Sequence, residues 1–344
     1  MAEKKKQKLK MSDIAKLAHV SRSAVSLVLN GKSGVSEETR KKVFEIIDKE
    51  GYEPLRKRRK GGVRLLANIN LIIVSDKSGV VSRNYRSLPF FDTLVSQLTQ
   101  NVDGFGGHVE IDVLALQNLE NDLKKLLKDN KVTDAIVLST DLDQNGVKLI
   151  NDNIKHVVFI DTYFDDIEAD FVTMDNFQGA YTAAKYIAEQ GYKEIGYAAS
   201  NKLIANFLYR RRGFRAGLAE EGIKVKVEHV YNLNPVQLMP TSDLSNINLA
   251  ELPKAIFCED DYMALRLIKE FAKHDLSVPD DVAVMGFDDV YEGQIITPEL
   301  STIHVPINQM VIQAIYQLQS QASTVDWAPQ KCLVSTRLVK RASL

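Results

Sequence analysis

Residues 12–31 read SDIAKLAHVSRSAVSLVLNG, and the spacing of their apolar side chains decides how the first part of the chain folds. Ile14, Leu17 and Ala18 fall at i, i+3 and i+4, the buried stripe of a first helix. Ser12 suits its N-cap, and Asp13 places a negative charge at the positive end of the helix dipole. His19-Val20 reads as a tight turn and Ser21 as the next N-cap. In the second helix Ala24, Val25, Val28 and Leu29 point inward, leaving Arg22, Ser23, Ser26 and Leu27 on or near the outer face until Asn30-Gly31 ends it. Ser36 caps a third helix with Glu37 and Glu38 in its first turn. Val43, Ile46 and Ile47 face its core, and Gly51 is its stop. A short helix, a tight turn and a second helix with a polar leading edge is the geometry of a helix-turn-helix, whose second helix lies in the DNA major groove.

Many three-helix bundles bind nothing, and charge separates this one from them. Residues 1–64 hold 18 Lys and Arg against 8 Asp and Glu, a net +10, while the remainder holds 26 against 37, a net −11. A basic head on an acidic body points to contact with a polyanion through the head alone. A lysine-rich tail accounts for Lys4 to Lys10 but not for the basic residues that continue to Arg64. The composition of the 344 residues, 45% hydrophobic and 26% charged, excludes collagen-like and largely disordered chains. No apolar run approaches the length that crosses a bilayer, and residues 1–11 lack the apolar core of a secretory signal. Cys258 and Cys332 supply neither a disulfide framework nor a cysteine metal site, so a cytoplasmic protein is expected.

From Asn70 onward, short apolar runs alternate with amphipathic helical stretches. Leu71–Val74, Val109–Leu114, Ala135–Leu138 and Val157–Ile160 read as buried strands, with helices near Phe91–Val102, Asn121–Leu127 and Asn145–Asn151. The pattern repeats with strands Ile195–Ala199, Val225–Tyr231, Ala255–Cys258 and Val282–Gly286 and helices Phe177–Gln190, Tyr209–Glu221 and Tyr262–Lys273. The fold class is α/β: a small all-α helix-turn-helix domain, then a bilobal, doubly wound body of two parallel sheets with helices on both faces. Ligands of such sheets bind at the carboxyl ends of the strands. The candidates there are Ser75, Asp76, Ser139, Thr140, Asp161, Ser200, Asn201, Glu259, Asp260, Asp261, Asp288 and Asp289, each of which also suits a helix cap or turn. There is no phosphate-binding loop, no dinucleotide fingerprint and no nucleophile elbow, and the six histidines show no metal-ligand spacing. Neither a cofactor, a metal nor a catalytic residue is expected.

Asp13-Ile14-Ala15-Lys16-Leu17-Ala18, Val20-Ser21, Ala24-Val25-Ser26, Val28-Leu29-Asn30-Gly31, Val35-Ser36-Glu37-Glu38-Thr39-Arg40 and Gly51-Tyr52-Glu53-Pro54 resemble, in that order, the head of LacI/GalR-family transcription regulators. The resemblance implies DNA contacts from Ser12, Ser21, Arg22, Ser23, Ser26, Leu27 and Asn30. Arg22 either pairs with a guanine edge, worth about 1–3 kcal/mol of discrimination, or grips a phosphate. Leu27 stands where the family often has arginine; it either meets a thymine methyl or packs against the third helix. The linker departs further: Gly61 stands where the family inserts a leucine into the minor groove, and Leu55 comes too early. Arg56, Lys57, Arg58, Arg59 and Lys60 either follow phosphates or a narrow minor groove, or form a flexible charged linker.

The body matches the same family as far as Ile303. Pro89-Phe90-Phe91 resembles the segment whose aromatic residues contact the ligand, and Asp161 ends its strand as in sugar-responsive members. Val172-Thr173-Met174-Asp175-Asn176 with Gly179-Ala180 matches another motif, in which Asp175 reads as an N-cap. Arg210 heads an Arg-x-x-Gly-Phe pattern ending at Gly213-Phe214 and is the arginine expected to reach the effector. Gly286-Phe287-Asp288-Asp289, followed by Thr297-Pro298, resembles the late motif whose first Asp binds ligand. Asp260-Asp261 replaces the usual Asn-Asp. The implied effector residues are Phe90, Phe91, Asp161, Arg210, Asp260 and Asp288, with Arg211 and Arg212 assigned to solvated helix surface. Carboxylates accept hydrogen bonds from neighbouring hydroxyls and a phenyl ring covers the apolar face of a pyranose, so a sugar or sugar derivative fits.

The expected organisation is a basic tail (1–10), a helix-turn-helix domain (11–53), a basic hinge (54–64) and an effector domain (65–344). Its first lobe spans about 65–172 plus 305–328 and its second about 173–304 plus 329–344. The expected function is a homodimeric, non-enzymatic regulator of a palindromic double-stranded DNA operator, a repressor of carbohydrate genes switched by the effector, without a membrane partner. A cytoplasmic sugar-binding protein or α/β enzyme without a DNA role is the alternative. Removing residues 1–64 is expected to abolish operator binding in a mobility-shift assay while sparing effector binding. Retained operator binding would refute this division of labour.

Overall fold

The four apolar residues Leu71-Ile72-Ile73-Val74 point alternately to two different cores, and that alternation organises the body. The computed structural model describes residues 11–29, 34–50, 68–130, 132–237, 239, 244, 245 and 247–344. The chain divides into two units, Met1–Gly62 and Val63–Leu344.

In the first unit, α1 (Met11–Ala18), α2 (Arg22–Leu29) and α3 (Glu37–Glu50) surround Ile14, Ala15, Ala18, Val25, Val28 and Val43. His19 adopts φ 54° in the turn, which lets the Val20 N–H reach back to the Ala15 carbonyl at 3.0 Å. Ser21 Oγ accepts the Ala24 N–H at 3.0 Å and Ser36 Oγ the Thr39 N–H at 3.2 Å, the capping bonds that both hydroxyls were expected to make. Two details differ. α1 begins at Met11, so Ser12 lies in its first turn rather than at its cap. Leu17 is 47% exposed, and Ala15 takes its place in the core, because the three helices meet along a narrower stripe than the i+3 pattern implies.

The second unit holds two parallel sheets. The first orders its strands β11-β5-β4-β3-β1-β2, with β1 (Asn68–Ser75), β2 (His108–Ala115), β3 (Asp134–Leu138), β4 (His156–Ile160), β5 (Asp170–Met174) and β11 (Lys331–Val334). Leu71 and Ile73 pack with α4 (Pro89–Gly104) and α11 (Ile307–Ser323). On the opposite face, Ile72 and Val74 pack with α5 (Leu119–Asp129) and α6 (Gln144–Asn153).

The second sheet orders β7-β6-β8-β9, with β6 (Ile195–Ser200), β7 (Val230–Leu233), β8 (Ala255–Cys258) and β9 (Ala283–Met285). It is covered by α7 (Asn176–Glu189) and α8 (Ala205–Glu220) on one face and α9 (Asp261–Lys273) on the other. β10 (Thr302–His304) and β12 (Arg337–Val339) pair antiparallel as the chain returns between lobes.

Three expectations are corrected. β5 and β11 carry no alternation that marks them, and β11 pairs with β5 at the edge of the first sheet. Residues 331–334 therefore belong to the first lobe, and the expected border at 172/173 falls inside β5. The strand expected at Val225–Tyr231 forms only from Val230, because Val227–His229 turn as a short 3-10 helix.

α7 and α8 approach closely at two glycines one turn apart. A Cβ on Gly213 would stand 2.1 Å from the Phe177 carbonyl oxygen, and one on Gly217 2.8 Å from that of Tyr181. The Gly in Arg-x-x-Gly-Phe is thus a packing residue that fixes where Arg210 points. Gly213→Ala is expected to cost at least about 2–3 kcal/mol, since backbone on a helix axis cannot yield as a side chain does. Urea unfolding checks this, and a loss under 1 kcal/mol would contradict it.

Candidate functional site

The carboxyl ends of both sheets face one cleft, and the polar residues that follow β4, β8 and β9 converge there. Phe90, Phe91, Asp161, Arg210, Asp260 and Asp288 all line a space of about 40 Å³ between the lobes, together with Thr140, Asn206 and Tyr262. Phe90 and Phe91 open α4 behind Pro89 and pack edge to face at 5.3 Å.

Arg210 is the centre of the cleft and is only 3% exposed. Its guanidinium lies 3.7 Å from the Phe287 ring centroid, a cation–π contact in a dry setting. Nε donates to Asn176 Oδ1 at 2.8 Å, Nη1 to the Glu259 carbonyl, and Nη2 to Asp288 Oδ1 at 3.1 Å. Each residue of the Gly-Phe-Asp-Asp motif has its own task. Gly286 leaves room for the Asp261 carboxylate, which a Cβ would approach to 2.1 Å. Phe287 is the shelf for Arg210, and Asp288 is its counter-ion. Asp289 faces elsewhere, binding His304 at 2.8 Å and Arg341 at 2.6 Å, and so ties the returning chain and the C-terminal segment to the second lobe.

Asp161 comes from the first lobe. It accepts Thr140 Oγ1 at 2.5 Å and Asn206 Nδ2 at 2.9 Å, the second bond crossing to the second lobe. Asp161, Asp288 and Asp289 hold φ of 65°, 121° and 62°, left-handed values that cost a non-glycine residue roughly 1–3 kcal/mol and cluster at functional sites. Burial pushes the Asp161 carboxyl up to about 6 and that of Asp288 to about 7. Burial, and then the Asp288 charge, holds Asp260 well above the usual range. Asp260 also caps α9 by accepting the Met263 N–H at 2.8 Å, so one oxygen is already committed. Among the described residues, no group of three His, Cys, Asp or Glu side chains is placed to hold a metal ion.

Arg211 does not lie on solvated surface. It pairs with the fully buried Glu259, which also accepts from the Tyr197 hydroxyl at 2.8 Å and the Ser200 N–H at 2.5 Å. Asn206 and Tyr262 were not anticipated. Asn206 sits four residues before Arg210, on the same helix face, a signal the sequence does carry. Tyr262 accepts the Phe90 N–H from the other lobe at 2.9 Å, a role no local pattern announces.

In the head, Arg22 and Ser23 are exposed at the start of α2. The Ser21 hydroxyl, besides capping, lies 3.1 Å from that of Ser23. Ser12, Ser26 and Leu27 are half-buried, and Leu27 packs beside Gly34 in the turn before α3. Asn30, Leu55, Arg56, Lys57, Arg58 and Arg59 lie outside the described residues.

Residues 10–54 match the family described as bacterial regulatory proteins, lacI family, and residues 184–344 a periplasmic binding protein-like domain. The transcriptional repressor PurR of Actinobacillus pleuropneumoniae serotype 3 is 27% identical over 338 residues, 94% of this chain and 96% of its own. The probable repressor ExuR of Bacillus subtilis is 26% identical over 343 residues, 97% of this chain and 98% of its own. A complex of the transcriptional regulator CelR with cellobiose superposes with a TM-score of 0.68 at 21% identity, covering 97% of this chain and 99% of that one. The head is thus a lacI-family regulatory domain and the two-lobed parallel-sheet body a periplasmic binding protein-like domain, and the chain is a DNA-binding transcriptional regulator.

Proposed function

We propose that this regulator is a cytoplasmic homodimer that represses carbohydrate genes from a palindromic operator, is released or recruited by a sugar-like effector held between its lobes, and turns over no substrate. The observation that carries the reading is the convergence of Asp161, Asp260, Asp288 and Arg210 on one buried cleft faced by Phe90 and Phe91. Paired hydroxyls of a sugar donate to Asp161 and Asp288, while the phenyl rings accept its apolar face. A neutral polyol suits a cleft in which three carboxyl groups face one arginine that is already paired with Asp288. Effector binding works as a population shift: it favours one arrangement of the lobes and, through the dimer, one spacing of the paired heads. The cellobiose named with CelR supports the same ligand class. No helix among the described residues is long and apolar enough to cross a membrane.

A thermal-shift screen of the full chain against mono-, di- and phosphorylated sugars tests the reading. A ligand at about 100 times its Kd adds roughly 2.7 kcal/mol to stability. A silent panel would sink the sugar effector. For the sugar that binds, Asp161→Asn and Asp288→Asn are each expected to weaken affinity about 10- to 100-fold, the worth of a charge-assisted hydrogen bond.

The pH dependence has a fixed sign. Because the free carboxyls titrate near 6 and 7, while hydroxyl donors need them ionised, binding expels protons. Affinity should therefore rise from pH 5 to about 8, by up to about tenfold per pH unit per proton released. Calorimetry across that range checks it, and a flat profile would show that neither carboxylate receives the ligand.

A further inference from the structure

At the end of the first sheet opposite the cleft, β3, β4 and β5 begin at Asp134, His156 and Asp170. An open pocket of about 510 Å³ lies there against the end of α11, within the usual size of small-ligand sites. Its lining comes from the first lobe alone. The five residues of β4 span about 17 Å and separate it from Asp161, so the pocket is distinct from the cleft.

The donors in its wall are already committed. Asp170, 1% exposed, accepts Trp327 Nε1 at 2.8 Å, Gln321 Nε2 at 3.2 Å and the Gln330 N–H at 3.0 Å, and these bonds fix the indole. The acceptors are not. The amide oxygen of Gln321 is buried and has no partner among the described residues. One turn earlier on the same face of α11, Gln317 is fully buried with neither amide atom partnered. His156 Nδ1 lies 2.7 Å from Asp134, a carboxylate that also accepts the Thr133 hydroxyl at 2.6 Å. The proton of the neutral ring therefore sits on Nδ1, and Nε2 is an acceptor. Glu168 stands exposed at the rim with no ion pair or hydrogen bond among the described residues, and the lysine of the lining, Lys155, is exposed too.

Unmet acceptors beside a fixed indole face select a planar cation. A guanidinium carries five N–H donors in one plane and stacks on aromatic rings. An ammonium has the charge without the plane, and a urea the plane without the charge. We propose that this pocket is a second ligand site, separate from the effector cleft, for a small guanidinium compound. The guanidinium lies on the Trp327 ring and donates to Glu168 and to the Gln321 amide oxygen. The site does not depend on the sugar reading above.

Trp327 is the only tryptophan of the chain, so its fluorescence reports on this pocket. Titrating the full chain with agmatine and with arginine is expected to change the emission saturably, with citrulline and putrescine at least about tenfold weaker. Glu168→Gln, at an exposed position, should weaken agmatine about tenfold, the worth of one hydrogen bond to a charged group, with an unchanged melting temperature confirming the fold. Citrulline or putrescine binding as tightly as agmatine would overturn the guanidinium. An affinity for agmatine that Glu168→Gln leaves intact would overturn the placement. An emission that changes only linearly with agmatine and arginine, as in collisional quenching, would remove the site.

Discussion

The Arg210 guanidinium is shut away from water on the face of Phe287, and that burial demands partners from three other segments of the chain. A buried cation is tolerable only when its donors are met; stripping a partner from such a pair costs about 3–5 kcal/mol. Here the partners are Asn176 at the start of α7, the carbonyl that ends β8, and Asp288 after β9, while Arg210 itself stands on α8. The second lobe is therefore organised around one charge, and the glycines that let α8 settle against α7 put it there. Arg211 repeats the device one residue later. Its partner Glu259 is anchored by Tyr197 and Ser200 of β6, so α8 is fastened to the sheet on both sides of its axis.

Arg210 neutralises only part of what surrounds it. Asp161, Asp260, Asp261 and Asp288 are all buried, and burial is the first cause of the upward shift of each. The cleft consequently holds protons near neutral pH, and a carboxylic acid that keeps its proton is a donor rather than an acceptor. Asp261 is satisfied internally by Thr302 at 2.6 Å and the Val290 N–H at 2.9 Å, and Asp260 by the cap of α9. Asp161 and Asp288 face the cleft from opposite lobes. Three of the four carboxylates thus build the cleft as well as line it, which is why cap and contact roles cannot be separated from spacing alone.

Parallel strands place their carboxyl ends on one side, so polar residues that close apolar runs were legible as site candidates before any distance was known. Asp161, Asp260 and Asp288 meet at one space for that reason, whereas Phe90, Phe91 and Arg210, which line it too, stand on helices and were named from the family resemblance. Short-range chemistry was equally legible: the caps at Ser21, Ser36 and Asp175 depend on residues three positions away. What was not legible depends on long-range contact. Leu17 and Ala15 exchange places because a third helix chooses which face is covered. Arg211 looks like solvated helix until a carboxylate from β8 appears beside it. β11 has no alternation of its own and is a strand because β5 offers an edge.

The two lobes are held across the cleft by few bonds, and this bears on how a ligand can act. Among the described residues, Asn206 donates to Asp161, Tyr209 donates to Asp165, and Tyr262 accepts the Phe90 N–H. These bonds contribute about 1 kcal/mol each, beside an apolar cluster that includes Phe90 and Phe91 of the first lobe and Phe207 and Tyr262 of the second. Asn206 and Tyr262 also line the inner cleft, and Tyr209 lines a wider space beside it. A ligand entering the cleft must compete for or reinforce those same bonds, so its binding energy is coupled to lobe closure by contact rather than at a distance. The differential affinity needed to move such an equilibrium from one extreme to the other is about 5.5 kcal/mol, which a few charge-assisted bonds to Asp161 and Asp288 can supply. Coupling of that size requires the carboxylates to lie on opposite lobes, which is where β4 and β9 deliver them.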